Sequence, residues 1–289
     1  MYIDTFTGNQ NIKLSLEEQI KTSKLSHAVL IFGKKGCGVN CFAGLLAADI
    51  IGVPHQDFHL IEENAHSQVQ TIAGSGASGQ IKVDSVRAIN ENVNFSSLGG
   101  EKRVVIIRNC ENFNQSSANA LLKNLEEPKD DITYILTCTD PSAILPTIRS
   151  RCQVYSLTQP TVQQCREYFA DCKSEQKDKI ISIYGGNIGM VKAALDNPKR
   201  MEILQRALEA QILINGAQWY RLAVLLYAFN KKKEDFLLFL QDLEYICDSS
   251  LQAGDIAVLG AAAEAKTAAE RNGNLALIME KFIIDVKNG

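Results

Sequence analysis

The sequence predicts an α/β domain with a parallel sheet, followed by a small helical domain and an all-α C-terminal domain. Short apolar runs alternate with longer helical segments from Met1 to about Leu157, a pattern typical of buried parallel strands joined by crossover helices. After Pro160 the strand-like runs stop, and the rest of the chain shows helical periodicity only. The predicted domains cover residues 1–158, 159–197 and 198–289.

Four strands are predicted from short apolar runs that lie between longer periodic segments. They are Ala28–Phe32, Phe58–Ile61, Val104–Ile107 and Tyr134–Leu136. Residues 161–197 are expected to form small helices joined by Gly185, Gly186 and Asn187, and about five amphipathic helices follow. Two of these helices place apolar side chains along one face, at Phe236, Leu237, Leu240, Leu243 and Cys247 in the first and at Leu275, Ile278, Phe282 and Ile283 in the second.

The composition is that of an ordinary globular protein. Of 289 residues, 46% are hydrophobic and 22% are charged, and the net charge of −3 gives no sign of nucleic-acid binding by bulk charge. None of the eight cysteines forms a CxxC pair, the N-terminus lacks the features of a signal peptide, and no run approaches about 18 apolar residues. We expect a cytoplasmic protein with reduced thiols and no membrane span.

A glycine-rich loop follows the first predicted strand. Gly33 and Gly38, with Gly36 between them, have the spacing of the phosphate-binding pattern GxxxxGK[ST], but Val39 holds the lysine place and Asn40 the serine/threonine place. A valine has no charge for the phosphates, and an asparagine amide is a poor ligand for Mg²⁺. These changes argue against hydrolysis here. The glycines either only turn the strand into a helix, or keep residual nucleotide binding through backbone N–H groups.

The strand Val104–Ile107 ends without the acidic residues that hydrolysis needs. In an ATPase of this architecture, the first acidic residue at this strand end holds Mg²⁺ and the second polarises the attacking water. This chain has Arg108 and Asn109 there, and Glu111 lies nearby but out of phase with the strand. Arg108 would repel Mg²⁺. The end of this strand is therefore a second place, after the glycine-rich loop, where residues needed for ATP hydrolysis are missing.

Two later segments resemble signatures of the AAA+ clamp-loader family. Ser117–Pro128 reads SANALLKNLEEP, and Thr137–Cys152 contains TCTDP followed by LPTIRSRC. With its hydrolytic residues lost, the chain is similar to the delta-prime type of that family. The resemblance covers about residues 1–195. It implies an AAA+ α/β domain, a helical lid domain and a helical collar domain through which subunits assemble.

The resemblance assigns the retained function to Arg151. In the family, the arginine between Ser150 and Cys152 reaches across a subunit interface to the γ-phosphate of ATP in the neighbouring subunit. A guanidinium is always charged, and it stabilises the charge that develops on a transferred phosphoryl group. Taken alone, Arg151 is more simply a surface or structural arginine at the start of a strand.

Other family features are also missing. Gly186–Val191 resembles the start of the sensor-2 helix, where active members have an arginine and this chain has Gly189. Ala48–His55 has no cysteine at the place where bacterial members usually carry a four-cysteine zinc module, so we expect no zinc there. His55 and His59 are expected to flank a strand rather than to bind a metal. We predict no metal site in the chain.

The resemblance implies a DNA polymerase III clamp-loader subunit that has no ATPase of its own. We expect no cofactor bound by this chain, whereas ATP and Mg²⁺ would be held by a neighbouring gamma/tau subunit. The other implied partners are the delta subunit, the sliding clamp, and primer-template DNA through the complex. The chain would be a component of a DNA-directed DNA polymerase holoenzyme. Two alternatives stay open, an active gamma/tau-type ATPase and a non-replicative scaffold on an inactive P-loop fold.

Overall fold

The computed structural model describes residues 1–75, 79–94, 102–128, 131–250 and 255–288. They divide into two compact units, Met1–Pro160 and Thr161–Gly289. The further division of the second unit at residue 197 stays a prediction. In the described part of the chain, no helix is both long and apolar enough to cross a bilayer.

The first unit is built on a five-stranded parallel sheet, as the alternating pattern predicts. Its strand order is β2-β3-β4-β1-β5, and every neighbouring pair runs parallel. The carboxyl ends of all five strands therefore lie at one edge of the sheet, which is where parallel sheets bind ligands. The strands are β1 (Ala28–Phe32), β2 (Val69–Ile72), β3 (Arg103–Ile107), β4 (Ile132–Cys138) and β5 (Gln153–Ser156).

Helices cover both faces of this sheet. Alternate residues of a strand point to opposite faces, so Val29 and Ile31 of β1 join one buried cluster and Ala28 and Leu30 join the other. The first cluster takes its helical side chains from α1, α2 and α3, and the second takes them from α4, α5 and α6. These helices are α1 (Gln10–Lys21), α2 (Val39–Ile51), α3 (Phe58–Glu62), α4 (Val83–Asn94), α5 (Gln115–Glu126) and α6 (Pro146–Arg149).

The predicted strand Phe58–Ile61 is wrong, because these residues form the short helix α3. Only Ile61 is fully buried among them, and His59 is exposed. A strand inside a parallel sheet would bury consecutive side chains, whereas a surface helix buries one side only. The second strand along the chain is instead β2, whose ends Val69 and Ile72 are buried around two half-buried polar residues.

The second unit is entirely helical over the residues that the structure describes. The small helices predicted for residues 161–197 are present as three helices, and five further helices follow. One hydrophobic cluster runs from Cys165 to Val286, so all these helices contribute to a common core. The helices are α7 (Val162–Tyr168), α8 (Lys177–Tyr184), α9 (Ile188–Asp196), α10 (Pro198–Asn215), α11 (Trp219–Tyr227), α12 (Lys233–Ser250), α13 (Asp255–Glu270) and α14 (Leu275–Asn288).

Candidate functional site

The glycine-rich loop between β1 and α2 is shaped by close backbone approaches. Gly36 and Gly38 have φ angles of 88° and 82°, in the left-handed region that favours glycine. A Cβ on Gly38 would lie 2.9 Å from the ring of Phe6, and one on Gly33 would lie 3.0 Å from the carbonyl oxygen of Leu157. The glycines are therefore needed for the turn itself, whatever the loop binds.

Val39 and Asn40, the two substituted positions of the loop pattern, have partners inside the chain. Val39 begins α2 and is buried in the cluster on that face of the sheet. Asn40 Oδ1 accepts a hydrogen bond from the Thr137 hydroxyl on β4 at 2.7 Å, and Thr137 Oγ1 accepts one from the backbone N–H of Asn109 at 3.2 Å. This relay ties the start of α2 to the ends of β3 and β4.

The side chains that follow β3 do not form an acidic pair. Arg108 donates its backbone N–H to the carbonyl oxygen of Ile72, and its buried Nε has no hydrogen-bond partner within the described ranges. Glu111 Oε1 instead accepts bonds from the N–H (3.2 Å) and hydroxyl (2.7 Å) of Thr139, beyond the end of β4. The Glu111 carboxylate is thus held by Thr139 through Oε1, while its buried Oε2 has no hydrogen-bond partner within the described ranges.

A cavity of about 320 Å³ opens at the carboxyl ends of β1, β4 and β5. It is lined by Gly33, Lys34 and Cys37 of the glycine-rich loop and by Thr139, among others. Burial raises the pKa of the Cys37 thiol, so this sulfur stays protonated near neutral pH. The cavity has one exposed ammonium group, that of Lys34. The lysine place of the phosphate-binding pattern is held by Val39 and adds no charge.

Arg151 lies between α6 and β5, at the surface of the first unit. Its Nη2 is 2.7 Å from Oε1 of Glu126, and its Nη1 donates to the carbonyl oxygen of Thr147 at 2.9 Å. The Arg151 side chain is 35% exposed and that of Glu126 is 49% exposed. The guanidinium is therefore held in place by its own chain while solvent still reaches it.

Glu126 is the residue of this site that sequence reasoning missed. It ends α5, and the helix cannot continue past Pro128 because proline has no backbone N–H and blocks the preceding turn. The sequence contains no signal that Glu126 and Arg151 form an ion pair. The pair forms because helices α5 and α6 pack against each other.

Ser150 and Cys152, which flank Arg151, have structural contacts. The Ser150 hydroxyl donates to the carbonyl oxygen of Thr147 at 3.1 Å, the same oxygen that Arg151 uses. Cys152 packs against the cluster on the other side of the sheet from α2, and burial raises the pKa of its thiol to about 12. The two residues hold the turn that presents Arg151.

Gly189 lies in the first turn of α9, in the second unit. The Asn187 side chain caps this helix by accepting a bond from the Met190 N–H at 3.1 Å, and it donates to the Tyr245 hydroxyl at 3.1 Å. Asn187 is thus a structural residue of the α9 start, and Gly189 adds no charged side chain there.

The two histidines that were considered as metal ligands lie in separate short elements. His55 is in a 3₁₀ turn, and His59 is in α3, where its Nδ1 contacts the carbonyl oxygen of Gln56 at 2.8 Å. Across the ranges that the structure describes, no three histidine, cysteine or acidic side chains come together as a metal site.

Comparison with known families decides where the chain belongs. Residues 8–161 match the family model described as DNA polymerase III, delta subunit. The chain belongs to this family. The match covers more than half of the chain, from the first helix to the end of the α/β unit. It confirms the resemblance that the motifs carry.

Individual relatives agree with this assignment. The chain is 31% identical over 188 residues to the DNA polymerase III subunit delta' of Haemophilus influenzae, which covers 62% of this chain and 57% of that relative. It is 29% identical over 168 residues to subunit delta' of Escherichia coli (56% and 50%) and 27% identical over 175 residues to subunit tau of E. coli (58% and 27%). The chain thus spans at most 57% of the length of these relatives.

A solved structure shares the fold. A DNA polymerase III gamma subunit-related protein from Thermotoga maritima superposes with a TM-score of 0.60 at 18% identity, covering 94% of this chain and 98% of that one. This similarity supports the α/β fold that the sequence predicted.

Proposed function

We propose that the chain is a clamp-loader subunit of the delta-prime type that has no ATPase activity of its own and supplies Arg151 to ATP bound in an adjacent gamma/tau subunit. The observation that carries the proposal is the surface position of the Arg151 guanidinium. Its partner Glu126 is itself half exposed. Each of the two side chains can therefore bind a different group when another molecule approaches.

The exchange from carboxylate to phosphate is favourable on elementary electrostatics. An ion pair exposed to this extent contributes only about 0–1 kcal/mol, because water screens it. The γ-phosphate of ATP offers more negative charge and more acceptor oxygens than Glu126 does, and guanidinium binds both groups through a fork of N–H donors. In the free chain, Glu126 would therefore orient Arg151 without holding it against transfer to a neighbour's phosphate.

The lack of an ATPase is supported by residues at two places. Val39 is apolar and buried in the sheet cluster, and Asn40 is bonded to Thr137. Arg108 follows β3, where an ATPase would place an acidic residue. A Mg²⁺ ion needs several oxygen ligands, and the groups near this place are a guanidinium, an amide oxygen that already accepts a hydrogen bond, and the Glu111 carboxylate, whose Oε1 accepts two bonds from Thr139.

The helical second unit completes the proposed assembly. Residues 159–197 would act as the lid and residues 198–289 as the collar through which the chain joins the gamma/tau and delta subunits. In this role the complex would load the sliding clamp on primer-template DNA in the cytoplasm. The similarity to delta' and tau subunits supports the gamma/tau partner.

The direct test of the missing ATPase compares the isolated chain with a purified gamma/tau subunit of the same organism. We expect the chain alone to show no Mg²⁺-dependent ATP hydrolysis, and we expect Val39→Lys to remain inactive because Asn40 and Arg108 are unchanged. Turnover is measured as phosphate release. Hydrolysis by the wild-type chain that depends on Mg²⁺ would contradict the proposal and would favour the active gamma/tau-type ATPase.

A further inference from the structure

Helix α11 has apolar side chains on its exposed side as well as on its buried side, and Arg221 is its one charged residue. Tyr220 is 82% exposed, Val224 58% and Tyr227 72%. Their spacing of four and three residues puts them on one line along the helix, which we call the tyrosine stripe. The opposite side of α11 is buried in the core through Leu222, Leu225 and Leu226. A surface helix usually has polar residues on the side that faces solvent, so the apolar exposed side of α11 is unusual.

The stripe is large enough to be the centre of a protein interface. Single exposed apolar residues are normal, but contiguous ones mark interaction sites. Covering the two tyrosines would hide roughly 250–400 Å², about a third to a half of the ~800 Å² that each partner contributes to a stable interface. Tyrosine and arginine are also the residue types that dominate the central contacts of such interfaces. α14, which packs against α11, exposes Leu277 and Ile284 as well.

The charged residues of α11 itself and of the segment just beyond its C-terminal end are positive. Between Ala210 and Lys233 the chain has four cationic residues and no Asp or Glu. Arg221 lies beside the stripe, with its guanidinium donating to Gln218 Oε1 at 3.0 Å. Lys231 and Lys232 are exposed just beyond its C-terminal end, and neither forms an ion pair with a carboxylate in the described part of the chain.

We propose that the tyrosine stripe seats an acidic amphipathic helix of a neighbouring subunit, with apolar side chains against Tyr220, Val224 and Tyr227 and carboxylates toward Arg221, Lys231 and Lys232. The inference rests on the proposed function, because it places one contact of that assembly. Charge complementarity selects this occupant. In a dimer of this chain, Arg221 and the two lysines would face the same cationic side chains of the other copy. Like charges across an interface lower the affinity.

The same features disfavour a nucleic acid as the occupant. Single-stranded nucleic acid is bound where cations track the backbone along a groove lined with stacking aromatic rings. Here the stripe lies on the convex surface of a helix, its centre is the aliphatic Val224, and its cations lie on one side and at one end. A partner helix needs only an apolar strip bordered by acidic residues.

The test measures pairwise binding of the full-length chain to purified gamma/tau and delta subunits of the same organism by surface plasmon resonance. The variants are Tyr220→Ser with Tyr227→Ser, and Lys231→Glu with Lys232→Glu. The matched control is Tyr168→Ser, because Tyr168 is an exposed tyrosine on α7 that lies outside the stripe. Since all these side chains are exposed, the variants should fold, which circular dichroism checks.

We expect the tyrosine variant to lose binding to one of the two subunits on the order of 30-fold or more, and Tyr168→Ser to bind as the wild type does. The charge-reversed variant should bind more weakly and with a smaller salt dependence. Wild-type affinity in the tyrosine variant would overturn the inference alone. Failure of the wild-type chain to bind either subunit would overturn both the inference and the proposed function.

Two further measurements can also overturn the proposal. Sedimentation of the chain alone tests a second copy, and fluorescence anisotropy with a single-stranded oligonucleotide tests nucleic acid. A wild-type dimer, or oligonucleotide binding, that the tyrosine variant loses would assign the stripe to that occupant instead. We expect a monomer and no binding that depends on the two tyrosines.

Discussion

The Arg151–Glu126 ion pair gives the free chain a defined resting position for the proposed finger. Both side chains are partly exposed, and Arg151 has a second anchor in the carbonyl oxygen of Thr147. A long arginine side chain loses rotamer entropy when it is ordered. Because this ordering takes place within the chain, less entropy remains to be lost when a neighbour's phosphate binds.

Cys152 beside Arg151 should be chemically inert, because burial raises the pKa of its thiol to about 12. At pH 8 only about one thiol in 10⁴ would be ionised, and the thiolate is the reactive form. We therefore predict that iodoacetamide at pH 8 leaves Cys152 unmodified while it alkylates the exposed Cys41. Peptide mass spectrometry measures both sites in one sample. Alkylation of Cys152 at the rate of Cys41 would show that the turn around Arg151 is more open.

Thr137 is the centre of the relay between Asn40 and Asn109, and we predict that Thr137→Val loosens it. The substitution removes a hydroxyl that donates one bond and accepts another, which costs roughly 1–3 kcal/mol where the groups are buried. Amide exchange of Asn109 should become at least about 5-fold faster, as measured by deuterium exchange.

Thr133→Val is the matched control for this change. Thr133 lies on the same strand and makes no side-chain hydrogen bond within the described ranges, so its replacement should leave the Asn109 amide unchanged. Equal effects of the two variants would indicate a general weakening of β4 and would contradict the relay.

The sequence singled out the individual residues of this site but could not pair them. Val39, Asn40 and Arg108 stood out because a family pattern assigns other side chains to their positions. The contact between Asn40 and Thr137 joins residues 97 positions apart, and it exists because β1 and β4 are neighbours in the sheet. That adjacency is a property of the strand order, which local patterns do not contain.

Among the strands, apolar runs identified the three central ones and neither edge strand, although a strand start was expected at Arg151, close to β5. β1, β3 and β4 lie inside the sheet and are continuous apolar runs, as both faces are covered by helices. β2 and β5 are the edge strands, and each mixes buried with partly or fully exposed residues. Four-residue segments of this kind have no clear period, whereas the run Phe58–Ile61 has a strand-like pattern and forms a helix instead.

The helices of the second unit are joined by a buried polar cluster that hydrophobic patterns did not predict. Arg200 of α10 forms an ion pair with both carboxylate oxygens of Asp242 on α12, and the Tyr184 hydroxyl on α8 donates to Asp242 at 2.8 Å. Burial alone would lower the pKa of Arg200, but Asp242 raises it overall, so the guanidinium stays charged. The cluster links a helix of the predicted lid to two helices of the predicted collar.

We predict that Asp242→Ala strongly destabilises the second unit, because Arg200 would be left buried without its carboxylate. Removing one partner of a buried ion pair costs roughly 3–5 kcal/mol. Trp219, the only tryptophan of the chain, lies on α11 in this unit, so its fluorescence during urea unfolding measures the change.

The control for Asp242→Ala is Glu264→Ala, which breaks the exposed pair between Glu264 and Lys281. We expect the urea midpoint to stay where it is in this variant, because water screens exposed pairs. A small effect of Asp242→Ala, similar to that of Glu264→Ala, would show that the buried cluster does not hold the three helices together.

At the scale of the whole molecule, family membership and fold agree with the sequence, while the proposed activity would depend on an assembly. The chain matches the DNA polymerase III delta subunit family, and its first unit has the parallel sheet that the motifs implied. An arginine that acts on a neighbour's ATP has no measurable activity in the isolated chain. Arg151 and the tyrosine stripe can therefore be tested only with other subunits present.

The ATPase rate of the reconstituted complex, with clamp and primed DNA present, tests the central claim most directly. Complexes are compared that contain the wild-type chain, Arg151→Ala, or Arg149→Ala, which removes an exposed arginine two positions away. We predict that all three assemble, that Arg149→Ala keeps the wild-type rate, and that Arg151→Ala lowers it at least ~10-fold, since such arginines contribute roughly 10³–10⁵ in rate. An assembled Arg151→Ala complex that hydrolyses ATP at the wild-type rate would contradict the account.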